Sequence, residues 1–573
     1  MILDIIHSPE DVRALQQKQL PQLCSGHQAY VHKALTGRQE LFSTLRQLDG
    51  LSGFPKPHES IHDAFIAGHA SNSVSVALGM ARARTLQHQD YQVLALIGDG
   101  ALTGGLAYEG LNNAGASHEH LIVIVNDNGM SIDPNVGALP RHLAQLRAKP
   151  AYYHFKKWYR RLFGANPVQS PIYRFNHRLK TELKKALWPS STLFEDMGFT
   201  YLGPIDGHDL PRLCDMLQWA KELTGPVVVH VHTKKGKGYP FAERNPGKFH
   251  GIAPFDPQTG LTLQPGGETF SSTFGKTLTD CAAESEKVCA ITAAMEDGTG
   301  LAAFAKAYPE RLFDVGIAEG HAVSMAAGMA KQGMIPVFAV YSTFLQRSYD
   351  MLFHDVALQK LHVVLGVDRA GLVGADGETH HGCLDISYLT GIPGFTVLCP
   401  SSLSELRSMT RQALFEIQGP VALRYPRGGE GAFTQGTGSQ AVVRLRDGHQ
   451  AVLVSYGILI NQVLDAAERL ERDGISTRVV KLNRIAPLDT SALLRELDGA
   501  DTVLVLEDCF ENGSIGQQIA ALLAESGRQC RQVILQNLKD RFAPEGTVEQ
   551  LQERFGLDAD GVYRAVKEAL SRE

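Results

Sequence analysis

The sequence predicts an α/β fold of parallel sheets flanked by helices, and three observations carry that expectation. Short, β-branched apolar runs recur at residues 91–97, 121–126, 227–232, 363–368, 451–455 and 502–506. Stretches such as SVSVALGMARARTLQ and GILINQVLDAAERLERDG lie between them and place apolar residues at helical spacing. Strands alternating with helices in this way argue for sheets covered on both faces. Two Pro/Gly/Thr-rich stretches, near 251–272 and 427–440, read as linkers. They divide the 573 residues into three expected domains, 1–265, 266–440 and 441–573. Residues 148–190, rich in Lys, Arg, Tyr and Phe, read as a basic excursion within the first domain.

Composition narrows the function. The 55 Lys+Arg and 61 Asp+Glu are scattered and leave a net charge of −6, so neither nucleic acid nor an anionic membrane is an expected partner. Small-molecule chemistry is expected instead. Eight cysteines without a C-x-x-C read as reduced thiols, and the start MILDIIHSPEDVRAL lacks the basic, then apolar, pattern of an export signal. A cytoplasmic location follows as an expectation.

The chemistry concentrates in YQVLALIGDGALTGGLAYEGLNNAGASHEHLIVIVNDNGMSI. One apolar strand delivers Gly98-Asp99-Gly100, and the next ends in Asn126-Asp127-Asn128. Ligands of open α/β sheets bind outside the carboxyl ends of the strands, so Asp99 and Asn128 are placed to converge. A carboxylate, an amide oxygen and a main-chain carbonyl suit Mg²⁺, which completes its shell with phosphate oxygens and water. Glycines let the backbone approach a diphosphate, and a helix expected to start near Leu102 directs its N–H groups there. Alone, a G-D-G is only a tight turn; the N-D-N one βαβ unit later makes the pair a metal–diphosphate signature.

This signature resembles that of thiamine diphosphate enzymes. Further stretches narrow the likeness: GHQAYVHKALTGR, GLSGFP, DAFIAGHASNSVSVALGMA, DVGIAEGHAV, YSTFLQRSYD, DRAGLVGADGETHHGCLD, RYPRG and LKDRFAPEGT. Over almost its whole length the chain is similar to the 1-deoxy-D-xylulose-5-phosphate synthases, a transketolase-like family. The resemblance implies a three-domain transketolase-like architecture, with a mixed sheet in the C-terminal domain. It implies Mg²⁺ on Asp99, Asn128 and the main-chain oxygen of Met130, with Gly100 and Ala101 at the diphosphate. Further cofactor contacts are implied for His27, Gly68, His69, Ala70 and Tyr239; the family usually carries Ser at the position of Ala70. Glu319 matches the acid placed against the aminopyrimidine ring. Held in an apolar pocket, such an acid shares its proton with a ring nitrogen.

His27, His250 and His380 fall in matched stretches and are candidate catalytic groups beside Glu319. Asp376, four residues before His380, is a candidate to orient that ring, and an Asx-turn is the alternative reading. Arg369 and Arg427 match arginines that hold the acceptor's phosphate, with Tyr341 and Arg347 at the same mouth; guanidinium forks suit phosphate because they bind it bidentately. The sequence also departs from the family. After LPQLC, a helix, a G-G-H-L-A-S turn and a strand are expected, yet Cys24 leads directly into Ser25-Gly26-His27. A family histidine facing the substrate is absent with them, and the first domain's sheet is expected to expose an edge.

The implied activity is decarboxylative condensation of pyruvate with D-glyceraldehyde 3-phosphate to 1-deoxy-D-xylulose 5-phosphate, by a homodimer. The product feeds non-mevalonate isoprenoid, thiamine and pyridoxal synthesis. Two alternatives stand beside it: a transketolase-type ketol transferase, which releases no CO₂, and a relic that keeps the fold without turnover.

Overall fold

Strands of a parallel sheet are buried on both faces and therefore read as continuous apolar runs. The computed structural model describes residues 28–131, 135–139, 142–143, 192–250, 255–262, 267–528 and 530–571; His27 and the 148–190 excursion lie outside them. The described residues form two compact units, one of residues 28–31 and 70–261, the other of residues 32–69 and 262–571.

In the first unit, β1 (Leu94–Gly98), β2 (Ile122–Asp127), β3 (Thr200–Asp206) and β4 (Val227–His232) form a parallel sheet in the order β1-β2-β4-β3. β4 coincides with the run read from the sequence, whereas β1 starts at Leu94 rather than at 91, where the Tyr91 carbonyl accepts from Arg84 instead of from a strand. Helices α1 (Ser73–Leu86) and α2 (Gly105–Ala116) cover one face, packing Val74, Leu78 and Leu111 against Ala95, Ile97 and Val123. On the other face, α3 (Leu210–Glu222) starts at the Asp209 cap and sets Met216 and Ala220 against Ile122, Leu202 and Val229.

That second face is unevenly covered. Leu94 and Leu96 alternate outward on β1 and remain 47% and 49% exposed. Among the described residues, β1 pairs only with β2. The helix after Gly100 also differs from expectation. A single 3-10 turn, Ala101–Thr103, comes first, Gly104 is extended (φ −75°, ψ 139°), and α2 begins at Gly105.

In the second unit, β5 (Val288–Thr292), β6 (Leu312–Asp314), β7 (Ile335–Tyr341), β8 (Val364–Asp368), β9 (Thr396–Leu398) and β10 (Val421–Arg424) are parallel. Helices α4 (Phe270–Glu284), α5 (Glu319–Lys331) and α6 (Leu403–Phe415) flank them. A capping box at Thr269 and Ser272 starts α4, which with α6 buries Phe274, Leu278, Leu406 and Met409 against Val337 and Ala339. From the opposite face, α5 sets Ala322, Val323 and Ala326 against Phe338 and Val340.

A further sheet follows: β11 (Val442–Arg446), β12 (Ala451–Ser455), β13 (Thr477–Leu482), β15 (Thr502–Leu506) and β16 (Gln532–Gln536), in the order β11-β13-β12-β15-β16. It is mixed, because β11 runs antiparallel to β13 while the other pairs are parallel. On it, α7 (Ile460–Arg472) buries Val463, Ala467 and Leu470. Between β13 and β15, the short β14 (Arg484–Ala486) leaves this sheet and pairs antiparallel with β9, giving the middle sheet the order β14-β9-β10-β8-β7-β5-β6. Buried charges link the same segments. Arg424 reaches Asp385 and Asp508, each at 2.9 Å, and Lys481 reaches Glu405 at 2.9 Å. Among the described residues no helix is long and apolar enough to cross a membrane.

Candidate active site

In the first unit the ends of β1 and β2 converge as the motif spacing requires. The Asp99 N–H donates to the Asn126 carbonyl (3.1 Å), and Asp99 Oδ2 accepts from the Gly129 N–H (2.7 Å). Asn128 Oδ1 accepts from the Met130 N–H at 3.0 Å, which fixes the loop carrying the third expected ligand. Asp99 is buried, and among the described residues its Oδ1 has no hydrogen-bond partner. Burial, and next the Asp127 carboxylate, push Asp99 up to about 6. A buried oxygen without a donor beside a second carboxylate is what a cation would relieve, so this donor set fits Mg²⁺. Gly100 is required here, because a Cβ would lie 2.7 Å from Ser131 Cβ. Ala101 opens the 3-10 turn, and its carbonyl accepts from Ser71 Oγ at 2.7 Å; Ala70 immediately precedes that serine.

Three neighbours of this loop escaped the sequence reading. Fully buried His230 joins Asp127 Oδ2 (2.9 Å) to the Tyr201 hydroxyl (2.7 Å). Lys234 and Lys235 line an open concavity with Asn128, Met130, His232 and Glu243. The Gly- and Lys-rich TKKGKGY at the carboxyl end of β4 was the available signal. Tyr239, at its end, packs with Phe241, Phe249 and Phe255, and its hydroxyl donates to the Pro257 carbonyl (2.9 Å). His250 closes the following turn, its N–H on the Gly247 carbonyl.

The second unit gathers the other candidates. Glu319 is the first residue of α5, only 4% exposed, and burial pushes its carboxyl above the ordinary range against the milder pull of Arg347. His69 Nε2 reaches the Thr379 carbonyl (2.7 Å) and Thr343 Oγ1 (3.1 Å). Gly68 lies so close to Thr379 that a Cβ would come within 2.5 Å of its hydroxyl oxygen. His380 stacks on Phe54 at 5.0 Å and lies 6.3 Å from His69, centroid to centroid. Burial holds His380 down to about 4, against the opposing pull of Asp376. The nearest partners of Asp376 are arginines: it pairs with Arg46 and lies 3.6 Å from Arg427. The Arg369 guanidinium sits 3.8 Å above the Tyr341 ring, on a backbone at φ +56°. The Arg347 charge acts on both Glu319 and His69, favouring the ionised acid and the neutral imidazole. Arg46, which the sequence reading missed, lines with Arg427 a cavity of about 380 Å³.

The family models match this chain in three consecutive parts: 1-deoxy-D-xylulose-5-phosphate synthase at residues 25–233, the transketolase pyrimidine binding domain at 268–429 and the transketolase C-terminal domain at 440–562. The 1-deoxy-D-xylulose-5-phosphate synthase of Caldanaerobacter subterraneus subsp. tengcongensis is 46% identical over 94% of this chain and 87% of its own length. The chain belongs to the 1-deoxy-D-xylulose-5-phosphate synthase family. The corresponding protein of Clostridium kluyveri is 47% identical over 95% of this chain and 88% of its own length. A solved structure described as a split-gene transketolase, inactive beta4 tetramer, is 29% identical, with a TM-score of 0.49, over 53% of this chain and 99% of that one. Thiamine diphosphate is the cofactor that membership of this synthase family and its pyrimidine binding domain imply.

Proposed function

We propose that the chain condenses pyruvate with D-glyceraldehyde 3-phosphate, releasing CO₂, to form 1-deoxy-D-xylulose 5-phosphate, the entry to non-mevalonate isoprenoid synthesis. The observation that carries this reading is Glu319: a carboxylic acid buried at the start of α5 and held toward its protonated form. Thiamine diphosphate, when bound, would supply a nucleophilic thiazolium carbon. The part of Glu319 is to hold a proton against the cofactor's pyrimidine.

Asp99, Asn128 and the Met130 carbonyl hold Mg²⁺, and Gly100 with Ala101 admits the diphosphate. His69 and His380, half-buried and with their basicity lowered by desolvation, are poised to exchange a proton at a ring nitrogen with the reacting carbonyl oxygen. His27, His250 and Tyr239 complete the cofactor and catalytic set that family likeness supports. Arg369 and Arg427 grip the acceptor's phosphate, with Tyr341 under the first, Asp376 beside the second and Arg347 at the same mouth. The expected three-domain division, a homodimeric enzyme and a cytoplasmic location belong to the same reading.

The test is one assay with pyruvate, glyceraldehyde 3-phosphate, thiamine diphosphate and Mg²⁺, following CO₂ and sugar phosphate together. Stoichiometric CO₂ and product, both lost in Glu319→Ala, are expected. Turnover of a ketose phosphate donor without gas would instead mark a transketolase-type enzyme, and folded protein silent with every donor would mark a relic.

A further inference from the structure

We infer that Lys56 and Glu545 are positioning residues for the phosphate-binding end of the acceptor site, together clamping the turn at residues 374–381. The inference rests on the acceptor-site reading above. It arises from three segments far apart in sequence that meet within the second unit: the loop after Leu51, this turn, and the stretch Ala543–Thr547 that leads into α8 (Val548–Phe555).

Lys56 is almost fully buried, and its ammonium lies 2.8 Å from Glu545 Oε1 and 3.3 Å from Glu378 Oε2. Its own N–H donates to Asp63 Oδ2 (2.8 Å), and Asp63 is gripped at both oxygens by Arg38 at 2.7 and 2.8 Å. The lysine is therefore fixed at its backbone as well as at its tip. Burial raises the Glu545 carboxyl, but Lys56 and Ser52 outweigh it and hold the group below the ordinary range, so it stays charged.

The turn is shaped around this pair. Gly377 has φ +68°, and a Cβ there would lie 2.5 Å from Glu545 Oε1, so only glycine lets the carboxylate come so close. The half-buried His381 ring spans the gap, accepting from the Val373 N–H (3.0 Å) and reaching the Pro544 carbonyl (3.1 Å). Asp376 and His380 ride on the same turn; Asp376 contacts Arg427, and His380 stacks on Phe54, two residues before Lys56. Moving the turn thus moves the partner of a phosphate-gripping arginine. A buried ion pair adds little net stability once desolvation is counted, so holding this geometry is the better account of its presence.

Glu545→Gln tests this without unfolding the chain, because Glu378 remains as a partner for Lys56. Binding of glyceraldehyde 3-phosphate to the thiamine diphosphate–Mg²⁺ complex is measured by calorimetry without pyruvate, and KM is measured for this acceptor and for unphosphorylated glyceraldehyde. In Glu545→Gln we expect Kd and KM for the phosphorylated acceptor to rise about tenfold, with KM for glyceraldehyde and for pyruvate within about twofold of wild type. Lys56→Met is expected to match it, and Lys56→Arg to retain wild-type affinity. Unchanged affinity in Glu545→Gln, or an equal loss for both acceptors, would overturn the clamp. A wild-type complex that binds no phosphorylated aldehyde would overturn the acceptor-site reading, and the clamp with it.

Discussion

In the first unit's sheet, β1 leaves Leu94 and Leu96 about half exposed beside an edge unpaired among the described residues, whereas β7, inside the second unit's sheet, is buried from Pro336 to Tyr341. Both strands deliver chemistry at their carboxyl ends: Asp99 follows β1, and Tyr341 ends β7. The loop that carries Asp99 and Asn128 needs only a few backbone turns, so it forms even where the supporting sheet is half covered. An acid held toward its protonated form needs water kept away from it, and Glu319 stands on the better-covered scaffold.

The contrast is sharpened most by Glu319→Gln. An amide fills the same space but has no acid proton to share, so turnover should fall by at least about 100-fold with the melting temperature unchanged. Truncation separates the two sheets next. Phe338→Ala is expected to cost about 3–5 kcal/mol in chemical denaturation, because Phe338 is fully buried in β7. Leu96→Ala should cost less than about 1 kcal/mol, since half of its surface already meets water. An equal cost at both positions would break the comparison.

Asp99→Asn probes the first unit's charge. It removes the carboxylate that Asp127 opposes, so in chelator the variant should melt no lower than wild type, while Mg²⁺ half-saturation of activity should rise at least about tenfold. A smaller effect belongs to His380. Its folded pKa of about 4 lies below the ordinary 6.5, so between these values the unfolded chain binds a proton that the folded chain rejects. Its contribution to stability is full above about pH 6.5 and is lost as pH falls toward 4, and His380→Asn should flatten the stability profile across that window. Least visible in the folded state, Leu94→Lys with Leu96→Lys should leave the melting temperature nearly unchanged yet slow aggregation on light scattering, because charge on an open edge blocks strand addition.

Although β3, β7 and β13 went unread, β4, β12 and β15 were legible because burial on both faces imprints an uninterrupted apolar run, and they occupy the residues read from the sequence. The three-residue strands β6, β9 and β14 were not, since three residues carry no period and their pairing comes from strands far along the chain. The site divides in the same way. Gly98–Gly100 and Asn126–Asn128 stand out because their chemistry is local to two strand ends. Arg46, Lys56, His230 and Glu545 do not, because each acquires its role from a partner on another segment: Arg46 from Asp376, Lys56 from Glu545, and His230 from Asp127.

The sequence by itself determined the α/β class, the interiors of several strands, the metal–diphosphate signature and the family, all of which are written in short, contiguous patterns. Only the tertiary structure decided that β14 crosses to the middle sheet, that β1 pairs with β2 alone among the described residues and that Asp376 meets two arginines. The physical reason is that periodicity and motif chemistry act along the chain, whereas burial, pKa and ion pairing depend on which distant segments exclude water together.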